Sequence, residues 1–220
     1  MAGTQPVGLE AGSKRVFVWA TGWPGWCRSG RDEEQALGAL AAYVPRYAVV
    51  AAEAGLPFPP ACDDPPGLTV TERTNGSGGT DFGVPGEVVG SDTEPLDAAE
   101  AERQASLLAA AWRVFDRVVA GAPPELRKGP RGGGRDRDKV VDHVLGAEPG
   151  YARQVGLRLR QPAVGDEAAV AAHRAAILDV FRSPWDGTVQ RRWPPRYAIR
   201  RFAWHVLDHA WEIEDRTERG

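Results

Sequence analysis

Hydrophobic positions along this chain follow two rhythms, and the change falls near residue 90. Before it, apolar runs are short and broken by glycine, proline and threonine; after it, long alanine-rich stretches keep a helical period. In the first part, residues 15–20 have the composition of a strand, and Gly22-Trp23-Pro24-Gly25-Trp26 reads as a turn. Asp32-Glu33-Glu34 then opens a helix that carries Leu37, Leu40 and Val44 and ends around Pro45 or resumes after it toward Ala54. Residues 68–74 alternate as a second strand, flanked by loops at 57–67 and 75–90.

Beyond residue 90, Leu108, Trp112, Phe115 and Val119 fall at i, i+4, i+7 and i+11 and predict an amphipathic helix over 97–120. A second helix is expected over 138–148, with Pro149-Gly150 ending or kinking it before 151–155 continues. Val170, Ile177, Leu178 and Phe181 mark a third over 166–181, and a fourth spans 197–216 after Pro194-Pro195. Four helices imply a bundle. The expected class is α+β, a small α/β module over 1–90 followed by a four-helix bundle over 91–220.

The last helix also carries the sharpest chemical signal. His205 and His209 stand four residues apart, which puts both imidazoles on one helix face where they can share a metal ion. Ile199, Phe202, Val206, Ala210 and Ile213 fill one arc of this helix, the two histidines lie along its edge, and Arg201, Asp208 and Glu212 lie just beyond. Asp208 and Glu212 are candidate acceptors for the free ring N–H groups. Only two other histidines exist to complete the site. His143, beside Val140 and Val144, is the favoured third ligand; His173, between Val170 and Ile177, is the reserve. Three neutral histidines would leave a fourth position open, as in catalytic rather than structural zinc sites. Arg201, one turn before His205, is a candidate anchor for an anionic substrate group.

Composition narrows the remaining choices. A chain of 220 residues buries a core without staples, and Cys27 and Cys62 stand in unlike segments without a Cys-x-x-Cys pattern, as expected in a reducing, cytoplasmic setting. No signal peptide or membrane span is read, since the richest alanine-valine stretch, 36–54, is interrupted by Pro45 and Arg46. A net charge of −3 offers phosphate backbones no general attraction, so no nucleic-acid partner is expected. The basic cluster at 127–137 is interleaved with glycines and reads as a solvated loop; its glycine run lacks the preceding strand and following lysine-serine of a phosphate cradle. Cys27 has no histidine near it in sequence to lower its pKa and reads as a structural thiol. Core packing accounts for most of Trp23, Trp26, Trp112, Trp185, Trp193, Trp204 and Trp211.

The phrases Asp142-His143-Val144-Leu145 and Ala203-Trp204-His205-Val206-Leu207-Asp208-His209 resemble the DinB-like metalloprotein superfamily, which includes YfiT-like hydrolases and thiol-dependent transferases and isomerases. The resemblance covers the C-terminal helical part, with Pro149 as its departure. It implies that His143, His205 and His209 bind a divalent metal, zinc or nickel, at one end of a four-helix bundle. It also implies an enzyme that activates water or a low-molecular-weight thiol cosubstrate. A second segment, from Trp23-Pro24-Gly25-Trp26 through Ser29-Gly30 to Gln35-Ala36, is similar to HicB-type antitoxin modules and implies a partner-binding fold. The competing expectation is a non-catalytic metal-binding stress-response or partner-binding protein. An exposed N-terminal edge strand would further allow a homodimer.

Overall fold

The computed structural model describes residues 4–58, 67–129, 133–188 and 192–217; Cys62, most of the 57–67 loop and part of the basic cluster lie outside them. The fold is α+β. A mixed four-stranded sheet, in the order β3-β2-β1-β4, is built from β1 (Gln5–Ala11), β2 (Val16–Ala20), β3 (Cys27–Gly30) and β4 (Leu68–Asn75). β1 pairs antiparallel with β2 and parallel with β4. That parallel pairing requires a crossover, supplied by α1 (Glu33–Ala42) and α2 (Val44–Glu53). A short helix α3 (Gly78–Phe82) and one 3-10 turn (Gly90–Thr93) lead into four helices: α4 (Ala98–Gly121), α5 (Arg137–Gln154), α6 (Glu167–Phe181) and α7 (Pro195–Arg216).

Several of these boundaries follow directly from local chemistry. The Asp32 carboxylate caps α1 by accepting from the Gln35 N–H at 2.8 Å, and Pro45 sits in the first turn of α2, where its missing N–H costs nothing. Asp97 and Asp166 cap α4 and α6 in the same way as Asp32.

The sequence reading missed β1 and β3. Gly8 breaks the alternation of β1, yet it is there because the Trp19 ring lies across it. A Cβ on Gly8 would stand 2.3 Å from a ring carbon. Cys27–Gly30 becomes a strand only because the turn before it, with Gly22 and Gly25 at positive φ, folds the chain back onto β2.

Pro149 does not end α5, which continues to Gln154. Val144, Leu145, Glu148 and Ala152 bury the face on either side of it. Glu148 also accepts the Trp112 indole N–H of α4 at 2.7 Å, so tertiary contacts hold the helix through the lost backbone bond.

One buried cluster crosses residue 90 and joins Val7, Val18 and Leu40 to Leu108, Phe115, Phe202 and Val206. Its axis is α7, of whose 22 residues 15 are buried. Phe202 meets Trp112 of α4, Tyr151 of α5 and Phe181 of α6 edge-on, with ring centroids 5.4–6.4 Å apart. The opposite side of α7 receives the N-terminal sheet. Trp204 meets Phe17 edge-on at 6.2 Å, and Gly25 comes so close that a Cβ there would stand 2.6 Å from the Leu207 side chain.

Polar contacts fix the same junction. Arg200, 6 % exposed, donates to both carboxylate oxygens of Asp92 at 3.2 and 2.6 Å and to the Glu87 carbonyl at 3.1 Å. Its guanidinium lies 4.2 Å from the Trp19 ring centroid. The fully buried Glu10 carboxylate of β1 accepts the N–H groups of Gly86 and Glu87 and the Thr80 hydroxyl, and the Tyr197 hydroxyl donates to the Gly86 carbonyl. The segment between β4 and α4 is thereby tied to β1 on one side and to α7 on the other. Among the described residues, no helix is long and apolar enough to cross a membrane.

Removing one member of a buried ion pair leaves the other charged and unsolvated, at a cost of about 3–5 kcal/mol. Asp92→Ala is therefore expected to lower stability by about that amount through the stranded Arg200. The check is the urea midpoint at unchanged slope.

Candidate metal centre

α5 and α7 pack against each other so that His143, in the second turn of α5, faces the middle of α7. Its neighbours Val140 and Val144 are fully buried, and they turn this side of α5 inward while leaving the imidazole half-exposed at the rim. On α7, His205 is 7 % exposed and His209, one turn on, is half-buried. The three side chains each offer a ring nitrogen, all within 4.8 Å of one another. Their ring centroids are 4.8–5.1 Å apart. The fourth histidine, His173, is elsewhere: its Nε2 lies 3.3 Å from the buried Glu148 carboxylate, against α5.

Nε2 of His205 lies 3.2 Å from Nε2 of His143. Two imidazole nitrogens can face each other at that distance if they share one proton or one cation. In a tetrahedral site with metal–nitrogen bonds of about 2.0–2.1 Å, neighbouring donors stand about 3.3 Å apart, so the spacing is compatible with a common ion. Nδ1 of His209 lies 2.8 Å from Oε2 of Glu212. A carboxylate there holds the proton on Nδ1 and leaves the lone pair on Nε2, which is how a ligand imidazole is oriented. Glu212 is itself held by the Arg216 guanidinium at 2.7 Å. The other expected acceptor, Asp208, does not serve the histidines: it accepts from Arg28 of β3 at 2.9 Å.

Burial keeps His205 and His143 neutral. The pKa of His205 is pushed down to about 2, mainly by burial, then by the neighbouring His209, His143 and Arg201. His143 is also lowered, by burial and then by His209. Glu212 is held below the ordinary carboxylate range, first by its bond to His209. His205 and His143 thus present neutral nitrogens, the form a metal takes up.

Next to the cluster stands a residue that the sequence reading left out. The Tyr151 ring, two turns beyond His143, lies edge-on to His205 at 5.6 Å and touches Trp193. Its spacing from His143 puts it on nearly the same helix face, a signal hidden by the break expected at Pro149. Arg201 lies over Tyr151 and Trp204, with its guanidinium carbon 5.5 and 4.7 Å from the two ring centroids. Cys27 takes no part in nucleophilic chemistry: its thiol is 1 % exposed and pushed up to about 12, chiefly by burial.

No protein-family model, curated protein or solved structure matches the chain.

In the metal-free protein, His205 stays neutral when folded but takes up a proton near pH 6.5 when unfolded. Its contribution to stability is present above that pH and is lost progressively as pH falls below it, with a slope approaching about 1.4 kcal/mol per pH unit for one proton. Urea unfolding of chelator-treated protein from pH 8 to 5 is expected to follow this trend, with a flatter dependence for His205→Ala.

Proposed function

We propose that the protein binds a divalent metal ion through His143, His205 and His209 and is a metal-dependent enzyme of the DinB-like kind, using water or a low-molecular-weight thiol as nucleophile. The observation that carries this reading is the convergence of three ring nitrogens from two helices within 4.8 Å. Two of the rings are only half-buried, so the cluster opens toward solvent on one side. Zinc and nickel both suit an all-imidazole donor set.

A divalent ion held this way supplies Lewis acidity, which lowers the pKa of a bound water or thiol toward neutrality. The chain's own contribution is to hold the donors ready. Burial keeps His205 unprotonated, Glu212 fixes the tautomer of His209, and Val140 and Val144 fix the helix face that presents His143. Tyr151, backed by Trp193, lies against one side of His205. The N-terminal module stands in this reading as a HicB-like unit for a protein partner or a second copy; β4 lies at one edge of its sheet.

The primary test is elemental analysis of untagged protein purified without chelators, beside the His143→Ala/His205→Ala/His209→Ala variant with its fold checked by circular dichroism. One equivalent of zinc or nickel is expected in the native protein and none in the variant. A native protein that is metal-free and cannot be reloaded overturns the reading. Glu212→Gln is expected to weaken zinc affinity by about 10- to 100-fold, measured by chelator competition, with the fold unchanged.

A further inference from the structure

Arg200, Arg201 and Arg174 are the buried arginines among the described residues. Arg200 has both oxygens of Asp92, and Arg174 has Asp116 at 2.7 Å. Among the described residues Arg201 has no carboxylate partner. It is 5 % exposed, its Nη2 reaches only the Tyr151 hydroxyl at 3.5 Å, and its Nε and Nη1 are buried without any acceptor. A guanidinium cannot shed its charge by losing a proton, so an unpaired one in the interior carries a penalty of several kcal/mol. Its position is as telling as its isolation. Arg201 stands one helical turn before His205, and the Tyr151 ring that it overlies meets His205 edge-on.

We infer that Arg201 is the receptor for a carboxylate group of the substrate, which it holds beside the three histidines. One guanidinium matches one singly charged planar oxyanion in charge and in shape. Trp204 and Tyr151, over whose rings Arg201 lies, hold the guanidinium in place for such a partner. A divalent ion on the histidines, with Arg201 nearby and Glu212 as the carboxylate that bonds to the cluster, would leave the site with excess positive charge that an anionic substrate offsets. This inference rests on the proposed metal centre for the direction in which the substrate's reacting group lies; the anion site itself does not need the metal.

The test uses the full chain in chelator-treated form, so that acetate or benzoate has no metal to bind. The side-chain Nε–H resonance of Arg201, identified by its absence in Arg201→Lys, is followed by NMR during titration with acetate, benzoate and the neutral isostere benzamide at constant ionic strength. At least one of the two carboxylates is expected to move that resonance saturably, and benzamide to leave it in place. In thermal-shift titrations the same carboxylate is expected to bind at least about tenfold more weakly to Arg201→Lys and Arg201→Met. Arg201→Met removes a buried charge while keeping most of the apolar stem, and is expected to melt no lower than the native protein. A resonance unmoved by either carboxylate, an equal response to benzamide, or unchanged carboxylate affinity in a folded Arg201 variant overturns the inference. Metal content is measured on native and variant proteins before chelation. Absence of metal from the native protein bears on the metal reading alone, whereas a native protein that loads metal but ignores both carboxylates bears on Arg201 alone.

Discussion

Everything in this molecule depends on α7 being buried along most of its circumference. A surface helix hides one stripe; this one has 15 of 22 residues out of solvent, including two arginines and a histidine. The burial has two sources. α4, α5 and α6 cover one side through the aromatic contacts around Phe202, and the N-terminal sheet covers the other through Phe17, Trp19 and the turn at Gly25. Without the sheet, α7 would expose Trp204 and the Arg200–Asp92 pair to water. Without the helices it would have no core. The histidine cluster depends on both, because the angular position of His205 and His209 is set by what clamps the remaining faces of the same helix.

That clamp also explains the electrostatics of the cluster. Imidazoles on an exposed helix would titrate near their ordinary value and repel one another below it. Here His205 is taken so far out of water that protonation is strongly disfavoured, while His143 and His209 remain at the rim. The result is a gradient from a dry donor to two accessible ones. Glu212, anchored by Arg216, supplies the only direct carboxylate bond to the three rings among the described residues. The neutral state of His205 thus comes from packing more than from any one partner.

The sequence carried the helices and the candidate ligands well and the sheet poorly, for physical reasons that can be named. Apolar period marked α4, α6 and α7 because their stripes are long, and in the structure their first turns open on Asp97, Asp166 or Pro195. The i, i+4 pair on α7 is a local pattern, and His143 is flanked by buried valines, so the three residues that meet were legible in advance. β1 was not, since its Gly8 reflects the Trp19 ring on the neighbouring strand, a contact with no trace in the local pattern. The continuity of α5 through Pro149 was equally hidden, because the bond from Glu148 to Trp112 that stabilises it crosses between helices. Asp208 was misread for the same reason: its partner, Arg28, lies 180 positions away in the chain.

Arg200 and Arg201 are consecutive residues of one helix in unlike surroundings. Adjacent positions on a helix point about 100° apart, so the first side chain enters the junction with the sheet while the second turns toward Tyr151 and the side of His205. Arg200 is neutralised by Asp92, braced by the Glu87 carbonyl and covered by Trp19, and all of its partners belong to the clamp. Arg201 lies over two aromatic rings and, among the described residues, has an almost empty set of acceptors. If burial of both arginines served folding alone, the second would be expected to have a carboxylate as the first does, or to be replaced by an apolar residue of similar volume. If Arg201 is the carboxylate receptor proposed above, its unpaired charge is stability forgone at one position on a helix whose other contacts leave a margin for it, the relation between strain and function expected at a binding site.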